Sequence, residues 1–429
     1  MTWAKFTTER SRVMDFSINE QQKMLKQVAR DFLKKECTET LVREIESGDE
    51  GYSPELWRKI ADLEWLGLVY PEKYGGTGGS ILDLAVLYGE MGRTMFPSPH
   101  LSTVVLCGLA ILNAGNEEQK AELLPKIVNG DLILALALTE PESSWDGNAW
   151  DAGGVTVRAT PDGDNYVIEG TKIFVHDAHI ADYLLCVAKT RDGGNPEGGI
   201  TLFLVDAKSP RISYTLLDTT AGDKQSEVIF DNVRVPKKNM VGELNSGWAP
   251  LAEVMQQGAV LLCAAMVGAG EKVLEMTVEY AKTRIQFEQP IGINQYVQEQ
   301  CVYLVSEVDC SRWVTYQAAW RISQGLPCDY EVAIAKTWTS NAIERACWRA
   351  HQVMAGVGYT TDRGLLPLYT KRAKTQQLYL GDSAYHLEKV ARQLDKWPAP
   401  EMPKGKALGL WEKVEYLGTP EWYERFAKG

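Results

Sequence analysis

Apolar and polar positions follow a helical rhythm through the first third of the chain. In INEQQKMLKQVARDFLKKE, residues Met24, Leu25, Val28, Phe32 and Leu33 recur near one side and predict a half-buried amphipathic helix, with Asp15 or Ser17 placed to cap its start. SPELWRKIADLEWLGL predicts a second helix begun by Ser53, Pro54 and Glu55. The YGGTGGS stretch at 74–80 is a loop from which Ser80 caps ILDLAVLYGEMGR, and QKAELLPKIVNGD at 119–131 closes the helical region at Gly130.

The period then shortens. LILALALTE at 132–140 predicts a short buried strand, and YVIEGTKIFV at 166–175 alternates with a turn expected around Gly170. DYLLCVAKT, ITLFLVDA, ISYTLLDT and SEVIFDNVRVP continue the extended pattern between Gly, Asn, Asp and Pro turns. Helical spacing returns with one long helix over 249–284, followed by helices at roughly 294–324, 330–356 and 370–394.

The expected fold class is α+β. It comprises an N-terminal all-helical domain over 1–130, a central antiparallel β domain over 131–245, a C-terminal four-helix bundle over 246–396 and an irregular extension over 397–429. This order argues against a Rossmann enzyme. GAGEKV at 268–273 has two glycines in dinucleotide spacing but lies within a helix with no strand before it, so it reads as close helix packing.

Composition narrows the class. The 429 residues include 45 Lys and Arg against 57 Asp and Glu, a formal charge of -12 that gives no support for nucleic-acid binding. Eight scattered cysteines without a CxxC pair predict free thiols rather than disulfides or a zinc site, and no metal site is expected. The N-terminal stretch has no apolar core of signal-peptide length, and no later run is expected to span a bilayer; a cytoplasmic protein is the expectation.

Several segments, in order, resemble the acyl-CoA dehydrogenase family from Phe16 to about Ala391: YPEKYGG at 70–76, LALTEP at 136–141, GTKIFV at 170–175, FDNVRVP at 230–236, GWAPL at 247–251, YAKTRIQFEQPIG at 280–292, GVGY at 356–359 and KRAK at 371–374. The resemblance implies FAD held between the β domain and the C-terminal bundle, with its far end completed by a neighbouring subunit of a homotetramer or of a heterotetramer with a related chain. It also implies an acyl-CoA substrate, a carboxylate that takes the α proton, and electrons that leave through electron-transferring flavoprotein.

On this resemblance, Leu138 and Thr139 face the flavin ring, Phe174 covers one flavin face, and His176 stands near flavin N5 where the family often has threonine. Phe174 is equally suited to a core position, and His176 to a polar turn beside Asp177 and His179. Arg284, Gln286 and Phe287 match the segment that reaches a neighbouring subunit's FAD; a guanidinium suits a pyrophosphate, although a helix-end arginine also suits the dipole. Gln352 and Gly356 match a turn at the ADP portion. Asp382 falls where the family has a hydroxyl near the phosphates, which requires pairing, for example with Lys371 or Arg372.

The departures concern chemistry. In QLYLGDS at 377–383, Tyr379 is followed by Leu380 where the family pattern has its glutamate base, and the second family location for a base is Gly258. Trp145 takes the place of a serine near the cofactor and CoA phosphates, so it is counted among the cofactor-binding positions. Glu142, Asp146, Glu253 and Asp382 are alternative bases, and the catalytic residue stays unassigned. Three functions follow: an FAD enzyme on a CoA thioester with an unusual base or substrate, a base-less cofactor-supporting subunit of a hetero-oligomer, and a flavin oxidase or monooxygenase on the same fold.

Overall fold

The structure, a computed structural model, describes residues 18–144, 149–360 and 364–394. The extension over 397–429 lies outside the described residues, as do Asp15 and Ser17. Helix α1 (Glu20–Glu36) is capped by Asn19 in a reciprocal capping box with Gln22. Its buried face is Gln22, Ala29 and Leu33; Met24 and Val28 are 65% and 50% exposed, contrary to the periodicity. Gln22 is drawn inward because its amide donates to Asp83 at 2.8 Å, a partner 61 residues away that no local pattern announces.

Helix α2 (Glu39–Ser47), α3 (Pro54–Asp62, capped by Ser53), α4 (Ile81–Arg93), α5 (Leu101–Ala114) and α6 (Glu117–Val128) complete the first helical region. Ser80 caps α4 reciprocally with Asp83, and the first two turns of α5 are π-helical.

The β region holds strands β1 (Leu134–Ala137), β2 (Arg158–Asp162), β3 (Asn165–His176), β4 (Tyr183–Lys189), β5 (Ile200–Asp206), β6 (Ile212–Leu217), β7 (Gln225–Pro236) and β8 (Met240–Val241). The sheet runs β6-β7-β3-β2-β4-β5-β8, with β1 attached to β4. It is mixed rather than wholly antiparallel, because β1 and β2 both pair with β4 in parallel. Gly170 (φ +134°) marks a register shift within β3, not a turn: its lack of Cβ lets the strand pass 2.8 Å from Val157 Cγ2, measured from where a Cβ would stand.

The alternation of large and small residues in LILALAL now has a cause. Leu134, Leu136 and Leu138 face the helical core, whereas Ala135 and Ala137 face a separate core within the β layer. Strands β4 and β5 divide in the same way, with Leu185, Val187, Leu202 and Leu204 on the helical side and Leu184, Cys186, Phe203 and Val205 on the other.

Helix α7 (Trp248–Thr283) is the central helix of the C-terminal bundle, joined by α8 (Gln295–Ser323), α9 (Asp329–Met354), α10 (Leu366–Gln376) and α11 (Ser383–Leu394). The expected last helix is therefore two, broken around Tyr379–Gly381, where Leu380 and Gly381 both take positive φ. Helix α7 also carries a stretch apolar and long enough to cross a membrane, contrary to the sequence reading, but 72% of that window is buried inside the fold. Gly268 packs against the backbone of α4: a Cβ there would meet the Gly89 carbonyl oxygen at 1.8 Å. All eight cysteines are free thiols; Cys37, Cys107, Cys186, Cys263 and Cys347 are buried and Cys310 is exposed.

Candidate active site

The end of β1 is fastened to β3. The Ile173 amide donates to the Thr139 carbonyl at 2.9 Å, and the Thr139 hydroxyl donates to the Ile173 carbonyl. Beneath this joint Lys172 and Glu140, both with 0% side-chain exposure, form an ion pair at 2.6 Å. Lys172 also donates to the Leu138 carbonyl at 2.9 Å, and Glu140 accepts from the Thr156 amide and hydroxyl and the Val157 amide. Leu138 and Thr139 are thus buried, with the threonine hydroxyl spent on the strand. A second register shift between Lys172 and Val175 puts Phe174 at φ +56° and turns its ring outward, 38% exposed. Such a bulge re-aims a side chain that the pleat would otherwise bury.

At the end of β3 the chain meets a cavity of about 180 Å³ between α4, the segment leading into α5, α7, the 221–224 loop and the end of α10. His176 and Tyr379 meet there, ring centroids 4.1 Å apart, and Trp150 stands edge-on to Tyr379 at 5.6 Å. The nearest charge to His176 is Asp223, 3.8 Å from its Nδ1. Burial lowers the His176 pKa, outweighing Asp223, so the ring is neutral near pH 7. Burial would raise Asp223, but interactions with His176, Gln225 and Thr219 hold it below the usual carboxylate range. The hydrogen bonds carry that direction, because a neutral His176 exerts no charge on it.

Asp177 lines the same cavity in a left-handed conformation. Ser102 Oγ lies 2.5 Å from its Oδ2. Burial pushes Asp177 up to about 7, against the Ser102 hydrogen bond and with Asp223 adding in the same direction. Deeper in, His100 bonds the Tyr88 hydroxyl at 2.9 Å and the Trp65 carbonyl at 3.3 Å, and burial pulls it down to about 4.

The two expected base positions, 258 and 380, converge. A Cβ on Gly258 would stand 2.9 Å from Leu380 Cδ1 and 2.9 Å from Leu106 Cδ2, and Leu380 is only 4% exposed. The turn that carries Leu380 is held by polar contacts: His386 Nε2 meets the Leu380 carbonyl at 2.9 Å, and buried Lys336 donates to the Gln377 carbonyl at 2.8 Å.

The other sequence candidates lie elsewhere. Arg284, Gln286 and Phe287 are exposed on a two-stranded ribbon, β9 (Ile285–Gln286) with β10 (Gln289–Pro290), after α7; Phe287 is 97% exposed. Gln352 and Gly356 are exposed around the end of α9. None of these five lines the cavity. Asp382 accepts from the Tyr385 amide at 2.8 Å, the geometry of a helix cap on α11, so its carboxylate is not paired with Lys371 or Arg372. Arg372 instead pairs with Glu46 at 3.0 Å and donates to the Met95 carbonyl at 2.7 Å. Glu142 and Glu253 are exposed and outside the cavity, and Trp145 and Asp146 lie outside the described residues. Sequence reading missed Asp177 and Asp223 as cavity groups; the first had a signal in its place directly after His176, the second had none.

The chain belongs to the acyl-CoA dehydrogenase family. The family's N-terminal domain matches residues 19–131, its middle domain 135–233 and its C-terminal domain 245–394. The chain is 31% identical to an acyl-CoA dehydrogenase of Bacillus subtilis (strain 168), over 85% of this chain and 95% of that one. Its structure is similar to a chain of the ChsE4-ChsE5 complex from Mycobacterium tuberculosis (TM-score 0.81, 29% identity, 90% of this chain and 100% of that one). It is also similar to the FAD complex of PigA (TM-score 0.80, 25% identity, 89% and 99%). The fold is an FAD-binding fold, and FAD-dependent oxidoreductases are its general class.

Proposed function

We propose that this chain is an FAD-dependent oxidoreductase acting on the CH–CH bond of an acyl-CoA thioester, an α,β-dehydrogenation whose proton acceptor stands at neither 258 nor 380. The observation that carries the reading is the cavity itself, walled by residues from all three family segments at the point where the bulged end of β3 meets Tyr379.

The residues fit the cofactor. Phe174 is turned out of its sheet, which suits it to cover a planar ring. The Arg284 guanidinium makes no hydrogen bond or ion pair among the described residues, although its backbone bonds Tyr280 and Ile291, which leaves its planar donors for a pyrophosphate presented by a neighbouring subunit. Gln286, Phe287, Gln352 and Gly356 supply the exposed edge beside such a contact. FAD, when bound, supplies the acceptor for hydride from the substrate's Cβ. The chain's own residues shape the rest: Tyr379 and His176 bound the substrate side, the Leu380–Gly258–Leu106 contact excludes water, and the Lys172–Glu140 pair fixes the strand that carries Phe174. Electron-transferring flavoprotein is the proposed acceptor of the electrons, and a tetramer in the cytoplasm the proposed state.

A second reading is favoured by one observation: both base positions are apolar and in mutual contact, while the exposed Arg284–Phe287 edge is present. In that reading the chain is a base-less, cofactor-supporting subunit of a hetero-oligomer. Purified alone, a self-sufficient enzyme should carry near-stoichiometric FAD and be reduced by an acyl-CoA thioester. Protein that stays empty with added FAD, and takes it up only with a related subunit, would replace the first reading by the second.

A further inference from the structure

We propose that the cavity behind His176 and Tyr379 selects a compact acyl group that carries a hydrogen-bond donor, a hydroxyl or an ammonium, received by the Asp177 carboxyl. The proposal rests on the reading of the chain as an acyl-CoA-binding protein and deepens it by naming the class of acyl group.

Size comes first. A cavity of about 180 Å³ slightly exceeds the roughly 150 Å³ that accommodates benzene in a protein interior, so it holds a tail of about six to eight non-hydrogen atoms. Part of its lining is hydrocarbon, contributed by Gly92, Leu262, Ala265 and Ala269. The wall contributed by β3 and the 221–224 loop is polar, and a purely alkyl tail would cover that wall without bonding to it.

Most of the polar groups around the cavity are already satisfied from within the chain. Both nitrogens of His100 are engaged, by Tyr88 and Trp65. Asp223 accepts from Thr219 at 2.8 Å and from Gln225 at 2.5 Å. Arg372 is shared between Glu46 and the Met95 carbonyl, and Lys224 donates to the Glu46 carbonyl at 3.0 Å.

Asp177 differs. Its carboxyl contacts one side chain, Ser102, through Oδ2; Oδ1 has no hydrogen-bond partner among the described residues, and no cation lies within ion-pair distance there. The Ser102 hydroxyl has a single proton and two acceptors in reach, Asp177 Oδ2 at 2.5 Å and the Pro99 carbonyl at 3.0 Å. Asp177 is therefore an under-bonded carboxylate on a wall of a tail-sized cavity, beside the His176 ring and the Tyr379 hydroxyl, which also make no hydrogen bond among the described residues. A carboxyl with free acceptor capacity in such a place discriminates strongly between a ligand that donates to it and an isostere that does not, because the isostere strands it.

The test is binding of paired thioesters to the flavin-loaded protein by calorimetry: ω-hydroxyacyl-CoA of about four to six carbons against the alkyl-CoA in which a methyl replaces the hydroxyl. Wild type should prefer the hydroxy compound by about tenfold to a hundredfold, Asp177→Asn should keep part of that preference, and Asp177→Leu should abolish it while still binding the alkyl compound. An ω-amino compound that binds more tightly than the ω-hydroxy one identifies an ammonium as the donor; the reverse order identifies a hydroxyl. Equal binding of the pair by wild type, or a preference that survives in Asp177→Leu, overturns the proposal while leaving the acyl-CoA reading intact. Failure of every CoA thioester to bind overturns that reading and this one with it. Unchanged binding in Asp177→Asn with loss of flavin reduction would make Asp177 the proton acceptor instead, and also overturns it.

Discussion

Removing one member of the Lys172–Glu140 pair is expected to destabilise the β region far more than removing both. The pair is fully buried at 2.6 Å, so either charge left alone faces the desolvation penalty without its counter-ion, a loss of about 3–5 kcal/mol. The two single variants should not be equal. In Lys172→Met the carboxylate keeps the Thr156 amide at 2.7 Å, the Thr156 hydroxyl at 2.5 Å and the Val157 amide at 3.1 Å. In Glu140→Gln the ammonium keeps the Leu138 carbonyl at 2.9 Å, while the new amide must either turn its own donors toward that cation or turn them toward the Thr156 and Val157 donors. Glu140→Gln should therefore lie at the upper end of the range and Lys172→Met at the lower. In the double variant no charge remains, so it should be more stable than either single variant, which requires a coupling larger than the greater single loss of about 3–5 kcal/mol. Urea unfolding of FAD-free protein, followed by far-UV circular dichroism, isolates this from the linkage that bound cofactor would add. Single variants within about 1 kcal/mol of wild type, or a double variant equal to the sum of the singles, would refute the reasoning.

Leu380→Glu introduces a carboxylate at the expected base position; with a proton acceptor already operating elsewhere, substrate-dependent flavin reduction in stopped-flow assays should change little, whereas a rise of about 10²–10⁴-fold would mean that the chain lacks a base and would favour the cofactor-supporting reading. Asp177, held near 7 in the folded chain against about 3.9 when unfolded, favours the folded state most below the unfolded value, and that contribution is lost as pH rises through about 7. The Tm of wild type should accordingly fall relative to Asp177→Asn between about pH 4 and 7, and a difference that stays constant or reverses would count against the shifted acid. Arg284→Ala and Phe287→Ala alter exposed side chains, so circular dichroism should be unchanged while FAD per chain and native mass fall; full flavin retention in both would remove the ribbon from the cofactor site.

Much of the fold was legible because it rests on short-range periodicity. The Leu/Ala alternation of β1 follows from a strand with two differently sized cores on its faces, and Ser80 with Asp83 is a local capping signal. What failed was decided by partners far along the chain. Gln22 displaces Met24 and Val28 from the inner face of α1 through a bond to Asp83, and Gly170 bulges a continuous strand against Val157 where a turn was expected. The break between α10 and α11 falls at Leu380 with φ +60°, a conformation that leucine seldom adopts and that sequence cannot announce. The site was legible only in halves. His176 and Tyr379 were each visible in their motifs, yet their contact, the meeting of Gly258 with Leu380, and the placing of Asp223 opposite His176 all depend on the folded chain. Thr139 and Asp382 were read as ligand contacts; in the fold the Thr139 hydroxyl donates to the Ile173 carbonyl of β3, and one Asp382 oxygen caps α11 through the Tyr385 amide.

The crossing of α4 and α7 bears on how a substrate gets in. A Cβ at Gly92 would lie 1.9 Å from the Ala265 carbonyl oxygen and one at Gly268 1.8 Å from that of Gly89, so backbone rests on backbone along this seam. Gly92 and Ala265 also line the cavity. At these two crossings there is no side chain to rearrange, so that wall is fixed and no rotamer change widens the cavity there. Larger guests would have to part the helices or displace another part of the lining. The cavity is thus a gauge with one immovable jaw, and its length setting belongs to the backbone.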